Sequence, residues 1–213
     1  MNLIDFRSWY LSNPKRIIRK YEKKVLEAND PRLSYYFARD VEGSNVKAHG
    51  QVVINSKNLE YNYLFARDVE GSDIKKHAQV VIDSKDPFYN YYFAKDVEGA
   101  DTFAHEQVVL ESKDPKYNYF FARELEGSNI KAHGQVIIES KNIIFNYAYA
   151  HDIKGSDIPA HEQVIIESND PEYSYLFARS VEGADVLALE QVVIDNNRID
   201  LFSPFMKNVK VQI

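Results

Sequence analysis

The chain contains no cysteine. Disulfides, zinc–thiolate sites and thiol nucleophiles are therefore excluded, and a reducing compartment is the natural setting. Glycine is scarce and never clustered, so there is no glycine-rich loop to cradle a phosphate. No apolar run approaches the roughly 18–20 residues needed to cross a bilayer, and a membrane partner is not expected. The first residues, MNLIDFRSWYLSNPKRIIRK, place their basic side chains after the apolar ones. That order is the reverse of a secretory signal, and a cytoplasmic location is expected. With 45% apolar and 27% charged residues, the composition is that of a folded chain rather than a disordered one.

The net charge of −6 conceals a gradient. Residues 1–29 carry net +4 and residues 198–213 net +2, which leaves −12 on the residues between them. A charge-guided partner would meet a basic N-terminal end and an acidic C-terminal end.

What the chain does have is one motif, repeated. Phe37, Phe65, Phe93, Phe121, Tyr149 and Phe177 recur every 28 residues, with no insertion or loss. The repeats are 30–57, 58–85, 86–113, 114–141, 142–169 and 170–197, and their consensus is D-P-x-Y-N-Y-x-F-A-R-D-V-E-G-S-D-I-K-A-H-E-Q-V-V-I-E-S-K. In the third repeat Asp86 is a helix N-cap and Pro87 suits the first helical position. Tyr89, Phe93 and Val97 form an apolar stripe at i, i+4 and i+8. Gly99 is read as the left-handed residue that ends this helix. Asp101 caps a second helix that runs to Ser112. Each repeat is thus two short helices, neither of which is stable alone at this length. The sequence predicts an all-α solenoid of six helix-turn-helix repeats at 30–197, stabilised by stacking. Residues 1–29 form an N-terminal cap whose helix, near 14–28, turns Ile17, Ile18, Tyr21, Val25 and Ala28 inward. Residues 198–213 form a C-terminal cap that Pro204 breaks and that alternates weakly, like a strand, around Val209 and Val211.

Several polar positions recur. His49, His77, His105, His133 and His161 suggest a metal or pH-sensing ladder. They fall, however, between apolar positions at about 100° per residue, and Leu189 replaces the sixth, so a packing role is expected. The serine near the helix end, Ser56 and its equivalents, is the expected partner of the imidazole. The spacing of stacked helices, about 8–10 Å, is too great for neighbouring histidines to share one zinc, and no metal or other cofactor is expected. Gln51, Gln79, Gln107, Gln135, Gln163 and Gln191 lie off the apolar face, with an acid four residues later: Asp83, Glu111, Glu139, Glu167 and Asp195, and Asn55 in the first repeat. Buried amides bonding to the backbone or to each other are one reading of the glutamines, and a binding surface is the other.

On the first helix Tyr35/Arg39, Tyr63/Arg67, Tyr91/Lys95, Tyr119/Arg123 and Tyr175/Arg179 lie at i and i+4, away from the Phe stripe, with Glu42, Glu70, Glu98, Glu126 and Glu182 three residues further on. An i, i+3 Arg–Glu pair is expected there, broken in the fifth repeat by His151 and Lys154. Exposed Tyr and Arg dominate interface hot spots. These five pairs, with Glu111, Glu139 and Glu167, are therefore candidate partner-binding residues. Lys15, Arg16, Arg19, Lys20, Lys23 and Lys24 are the candidates for contacts with nucleic-acid phosphates. No single unrepeated polar constellation of the kind that catalysis needs is present, and a non-catalytic role is expected.

The run Asp-Pro-x-Tyr…Phe-Ala-Arg-Asp-Val-x-Gly-[Ser/Ala]-[Asp/Asn] resembles the short helical-hairpin repeats of phage and bacterial proteins, and more loosely short HEAT repeats of the phycobilin-lyase type. The resemblance covers residues 30–197. It implies a solenoid and assigns no functional residue. Size, acidity and the lack of cysteine are shared with many phage accessory proteins, and by that analogy alone the expectation is a phage counter-defence protein, such as an anti-CRISPR-type inhibitor of a host nuclease complex acting in the host cytoplasm. The expected partner is then a protein, with a basic nucleic-acid-binding surface as its target region. Direct binding to RNA or DNA is the alternative.

Overall fold

In the computed structural model of the chain, residues 15–202 are described. Residues 1–14 and 203–213 lie outside them, and with them the part of the C-terminal cap around Pro204 and Val209–Val211. The side chains of residues 15–20, which include Ile17 and Ile18, and of Ile199 also lie outside the description. The described residues form thirteen α-helices and one short 3₁₀ turn. They are α1 Lys15–Glu27, α2 Pro31–Asp40, α3 Val46–Ser56, α4 Leu59–Asp68, α5 Ile74–Asp83, α6 Pro87–Asp96, α7 Thr102–Ser112, α8 Pro115–Glu124, α9 Ile130–Ser140, α10 Ile143–Asp152, α11 Ile158–Ser168, α12 Pro171–Ser180, α13 Val186–Asp195 and the turn Ile199–Phe202. Among the described residues there is no strand, and no helix is long and apolar enough to cross a membrane. The all-α helical-repeat solenoid is therefore present.

The chain forms two compact units that divide between Val109 and Leu110. In the N-terminal half, α2 packs on α3 and α4 on α5, first helices pack on first helices (α2, α4, α6), and α3 packs on α5. The C-terminal half repeats the plan with α8 to α13, and the 3₁₀ turn packs on α13. The centre of every layer is the Phe37 position and the Val53 position. Phe37, Phe65, Phe93, Phe121, Tyr149 and Phe177, and Val53, Val81, Val109, Ile137, Ile165 and Val193, are all fully buried. Each such side chain contributes about 1.5–3 kcal/mol of hydrophobic stabilisation.

The helix ends follow local chemistry, with two departures from expectation. Asp86 accepts from the Tyr89 N–H at 3.1 Å and Asp101 from the Ala104 N–H at 3.1 Å, so both N-caps are as expected. The first helix, however, stops before its glycine. Val97 is the C-cap, with φ −97° and ψ 112°, and its N–H reaches the Phe93 carbonyl. Leaving the helix at this point turns Val97 into the core. Gly99, at φ 78°, then reverses the chain within the turn. The second departure is at the end of the second helix. Lys57, Lys85, Lys113 and Lys141 occupy the left-handed region at φ 52–58°, where the equivalent residues are Asn29, Asn169 and Asn197. A left-handed conformation costs an L-residue with a Cβ roughly 1–2 kcal/mol. Lys57→Gly is therefore expected to raise stability by about 0.5 kcal/mol after the glycine's greater unfolded-state entropy is deducted, and Lys57→Val to lower it by more than about 1 kcal/mol. Thermal melts of the two variants check the sign.

Helix α1 packs on α2 and α3 of the first repeat. Tyr21 and Val25 of α1 are half-buried, but Ala28 is exposed because the helix ends at Glu27. Glu22 reaches forward to accept from the Asn45 N–H at 2.6 Å. In the described part of the C-terminal cap, Arg198 bonds Glu172 at 3.2 Å and the Phe202 ring lies 5.8 Å from that of Tyr175.

Candidate functional site

The tyrosine row is not a free surface. Tyr35, Tyr63, Tyr91 and Tyr119 are buried, and Tyr147 and Tyr175 half-buried. The Tyr35 hydroxyl donates to Asp68 of the next repeat at 2.5 Å and Tyr63 to Asp96 at 2.6 Å, while Tyr119 donates to Asp152 in the C-terminal half. The cation at i+4 lies over the same ring. The guanidiniums of Arg39, Arg67 and Arg123 sit 4.9–5.1 Å from the ring centres, and Lys95 sits 5.6 Å from Tyr91. Each arginine also donates to the phenol oxygen, at 2.7–3.0 Å.

The expected Arg–Glu pair at i, i+3 does not form, because the first helix ends before the glutamate. Glu42 and Glu70 lie in the turn beyond it. Arg39 instead holds the adjacent Asp40, and Arg67 holds Asp68 through two nitrogens, at 2.6 and 3.0 Å. Burial alone would raise the Asp68 carboxyl, but Arg67 and Tyr35 together hold it below the ordinary carboxylate range. Burial and the Asp68 carboxylate push the Tyr35 phenol up to about 12. The row Arg39–Tyr35–Asp68–Arg67–Tyr63–Asp96 is thus an internal strap between repeats. The fifth repeat keeps a version of it: His151 pairs with Asp152 at 2.5 Å, and Tyr147 meets Ser180 at 3.0 Å. Tyr175 and Arg179 stand at the C-terminal edge of the row, and Arg179 is exposed.

The five histidines of the ladder are fully buried, as expected of packing residues, but their partner is not the serine. Ser56 donates to the Val53 carbonyl and accepts from the Asn58 N–H, which closes the turn. The imidazole partner is an asparagine that sequence reasoning passed over. His77 Nδ1 lies 2.8 Å from Asn62 Oδ1, and the same distance recurs at His105–Asn90, His133–Asn118 and His161–Asn146. Asn62 Nδ2 donates to the Val53 carbonyl of the preceding repeat at 3.0 Å and to the Asn58 carbonyl at 2.8 Å. With both amide hydrogens committed, Oδ1 is the acceptor, so Nδ1 carries the imidazole proton and Nε2 is a bare acceptor. The imidazole also stacks on the core ring of its own repeat, His77 on Phe65 at 4.8 Å. Burial holds His77, His105 and His161 down to about 4, so they are neutral at pH 7.

A signal for this pair was present in the internal comparison. The repeats with Asn62, Asn90, Asn118 and Asn146 all have the histidine, and the sixth repeat has Ser174 with Leu189. The first repeat keeps His49 opposite Ser34, and there Glu22 lies 3.4 Å from His49 Nε2.

The glutamine row is exposed apart from half-buried Gln107. Its amides do not stack on one another. Gln79 donates to Asp83 at 2.7 Å, Gln135 to Glu139 at 3.0 Å, Gln163 to Glu167 at 3.1 Å and Gln191 to Asp195 at 2.7 Å. Glu111, Glu139 and Glu167 are exposed. In the C-terminal half Glu139, Glu167 and Asp195 stand on α9, α11 and α13, second helices packed in succession. That half also carries the whole net charge of −6, residues 1–109 being neutral overall.

Of the basic candidates, Lys23 and Lys24 are exposed. Lys23 pairs with Glu27 at 3.7 Å and Lys24 lies 5.7 Å from the Tyr21 ring centre. The side chains of Lys15, Arg16, Arg19 and Lys20 lie outside the described residues. Among the described residues no group of three or more metal-ligating side chains converges. No family model, no curated protein and no solved structure matches this chain.

Proposed function

We propose that this protein is a non-catalytic repeat scaffold that binds a protein partner through the acidic row of its second helices, and that the partner presents a basic, nucleic-acid-binding surface. The observation that carries this reading is the exposed succession Glu139, Glu167 and Asp195 on three adjacent helices of a half with net charge −6. Charge complementarity of this kind steers encounter and fixes register. The tyrosine–arginine row contributes stiffness rather than contact, because its hydroxyls and guanidiniums are already bonded within the chain. In its narrowest form the reading is the inhibitor reached by analogy from size and charge, an acidic surface occupying the nucleic-acid channel of a nuclease complex.

The test uses two probes, an oligo-arginine peptide and an oligothymidylate. The peptide is expected to bind with an affinity that falls steeply with salt. Its resonance shifts should be centred on α9, α11 and α13. The triple variant E139K/E167K/D195K should lose at least about tenfold in affinity, whereas Tyr63→Phe should bind as the parent does. Binding of the oligothymidylate at low salt, with no binding of the peptide, would replace this reading with direct nucleic-acid recognition by the basic cap.

A further inference from the structure

Six of the eight glycines stand in the turns after the first helices, but Gly50 and Gly134 do not. They lie inside α3 and α9. The same repeat position holds Glu22 in the cap helix, then Gly50, Ala78, Glu106, Gly134, Glu162 and Glu190. Two of these glutamates, Glu22 and Glu162, have a defined role. Glu22 Oε1 accepts from the Asn45 N–H at 2.6 Å, and Glu162 Oε1 from the Asp185 N–H at 2.7 Å. Both acceptances fall on the N-cap residue of the second helix one repeat on. Glu22 also lies 3.4 Å from His49 Nε2.

Where glycine takes its place, the volume of that side chain becomes a pocket. One pocket, of about 230 Å³, is lined by Gly50, Lys47, Phe65, Asp73 and His77. The other, of about 270 Å³, is lined by Gly134, Lys131, Tyr149, Asp157 and His161. A Cβ built on Gly50 would lie 3.3 Å from the Phe65 ring and 3.5 Å from His77 Nε2. On Gly134 it would lie 3.2 Å from the Tyr149 ring and 3.6 Å from His161 Nε2. Both imidazoles are fully buried, and both Nε2 atoms lack a hydrogen-bond partner within the protein. An unpaired buried acceptor is costly, and in a native fold it calls for an explanation. The N–H of Asp73 and that of Asp157 hold the positions that donate to a glutamate in the first and sixth repeats. Lys47 and Lys131 supply a cation to each pocket lining.

We propose that the Gly50 and Gly134 pockets each bind the carboxyl group of a short aliphatic carboxylic acid, in the place that a glutamate side chain fills elsewhere in the array. Propionic acid has the carbon skeleton of that missing side chain. One carboxyl oxygen accepts from the N-cap N–H, as Glu22 and Glu162 do. The other meets the histidine Nε2, with one proton shared between them. Because the imidazole and the free acid are both unprotonated near neutral pH, binding takes up one proton. The charged groups that face His77 are Lys47, Asp73 and Lys76, with Asn62 behind it on Nδ1. Those that face His161 are Lys131 and Asp157, with Asn146 behind.

The experiment is a titration of the full chain, labelled with ¹⁵N at histidine, against propionate. The Nε2 resonances of His77 and His161 are expected to move, with affinity in the millimolar range for so small a ligand. Affinity should tighten about tenfold from about pH 7.5 to about pH 6.5. Gly50→Glu fills its own pocket and should abolish the response of His77 while His161 still responds, which shows at once that the variant is folded. Ala78 at the equivalent position indicates that a Cβ is tolerated there. Three results would overturn the proposal: no movement of either resonance at tens of millimolar propionate, propionamide binding as tightly as propionate with no pH dependence, or a His77 response that survives in Gly50→Glu. Binding of a capped glutamate without binding of propionate would also overturn it, since the carboxyl group would then belong to another chain.

Discussion

Acidification from neutral pH is expected to unfold this protein near pH 5, well above the range in which carboxylate protonation alone acts. The cause is the buried histidines. Burial holds His77, His105 and His161 down to about 4 in the folded chain, against an ordinary value near 6.5 when unfolded. Between those two values the unfolded chain binds more protons, so stability rises with pH there. The contribution is complete above about pH 6.5 and is lost progressively as the pH falls towards about 4. By about pH 5 each of the three histidines has removed roughly 2 kcal/mol, and the sum of about 6 kcal/mol rivals the whole stability of an ordinary domain. His49 is lowered by burial in the same direction, with Glu22 opposing. Asp68 and Asp152, held below the ordinary carboxylate range, add to the loss only at lower pH. Urea titrations at a series of pH values measure the slope directly. A stability that is flat between pH 7 and pH 5 would mean that the imidazoles are solvated or already charged.

The second large effect is expected from Asn146. Its amide donates to the Ile137 and Asn142 carbonyls, each at 2.9 Å, and its oxygen accepts from His161 at 2.8 Å. The residue is fully buried. Asn146→Ala removes all three bonds, opens a cavity and strands the Nδ1–H of His161, for an expected loss of about 3 kcal/mol. The sixth repeat indicates the compensation. There Ser174 stands opposite Leu189, a pair with no imidazole to satisfy. The double variant Asn146→Ser/His161→Leu should therefore lose less than the sum of its single changes, with a coupling of about 1–2 kcal/mol. The same double variant removes one titrating histidine, so its stability should fall about 1.4 kcal/mol less per pH unit through the acid range. Additive single changes in denaturant, or an unaltered pH slope, would show that the asparagine and histidine are not a unit.

The two effects share an origin in the way the repeats are joined. Asn62, Asn90 and Asn146 each link the end of one second helix to the imidazole of the next, and Tyr35, Tyr63 and Tyr119 each link one first helix to the acid of the next. Both devices are polar, and both act between repeats. A solenoid held in this way has its stability distributed over nearest-neighbour interfaces. Proton binding at a few equivalent positions therefore weakens several interfaces at once.

The order of the helices, their N-caps and the apolar positions were legible in the sequence. A strict period of 28 leaves one way to stack the repeats, and Asp-Pro and the Phe stripe mark elements through local chemistry. The burial of the histidines was legible too, since Leu189 can replace one. The partner of each polar side chain was not legible. Tyr35 reads as an exposed helical position because its partner, Asp68, is 33 residues away and on another helix. Glu42 reads as the mate of Arg39 only while the helix is assumed to continue, and Val41 ends it by turning into the core. Asn62 drew no attention because its three bonds reach two other helices as well as its own turn. The two glycine pockets were hidden for the same reason, since they are shaped by a histidine and a ring from the following repeat. Backbone conformation follows from neighbours along the chain, which a sequence displays. Hydrogen bonds between repeats depend on which atoms stacking brings within 3 Å, and only the tertiary structure decides that.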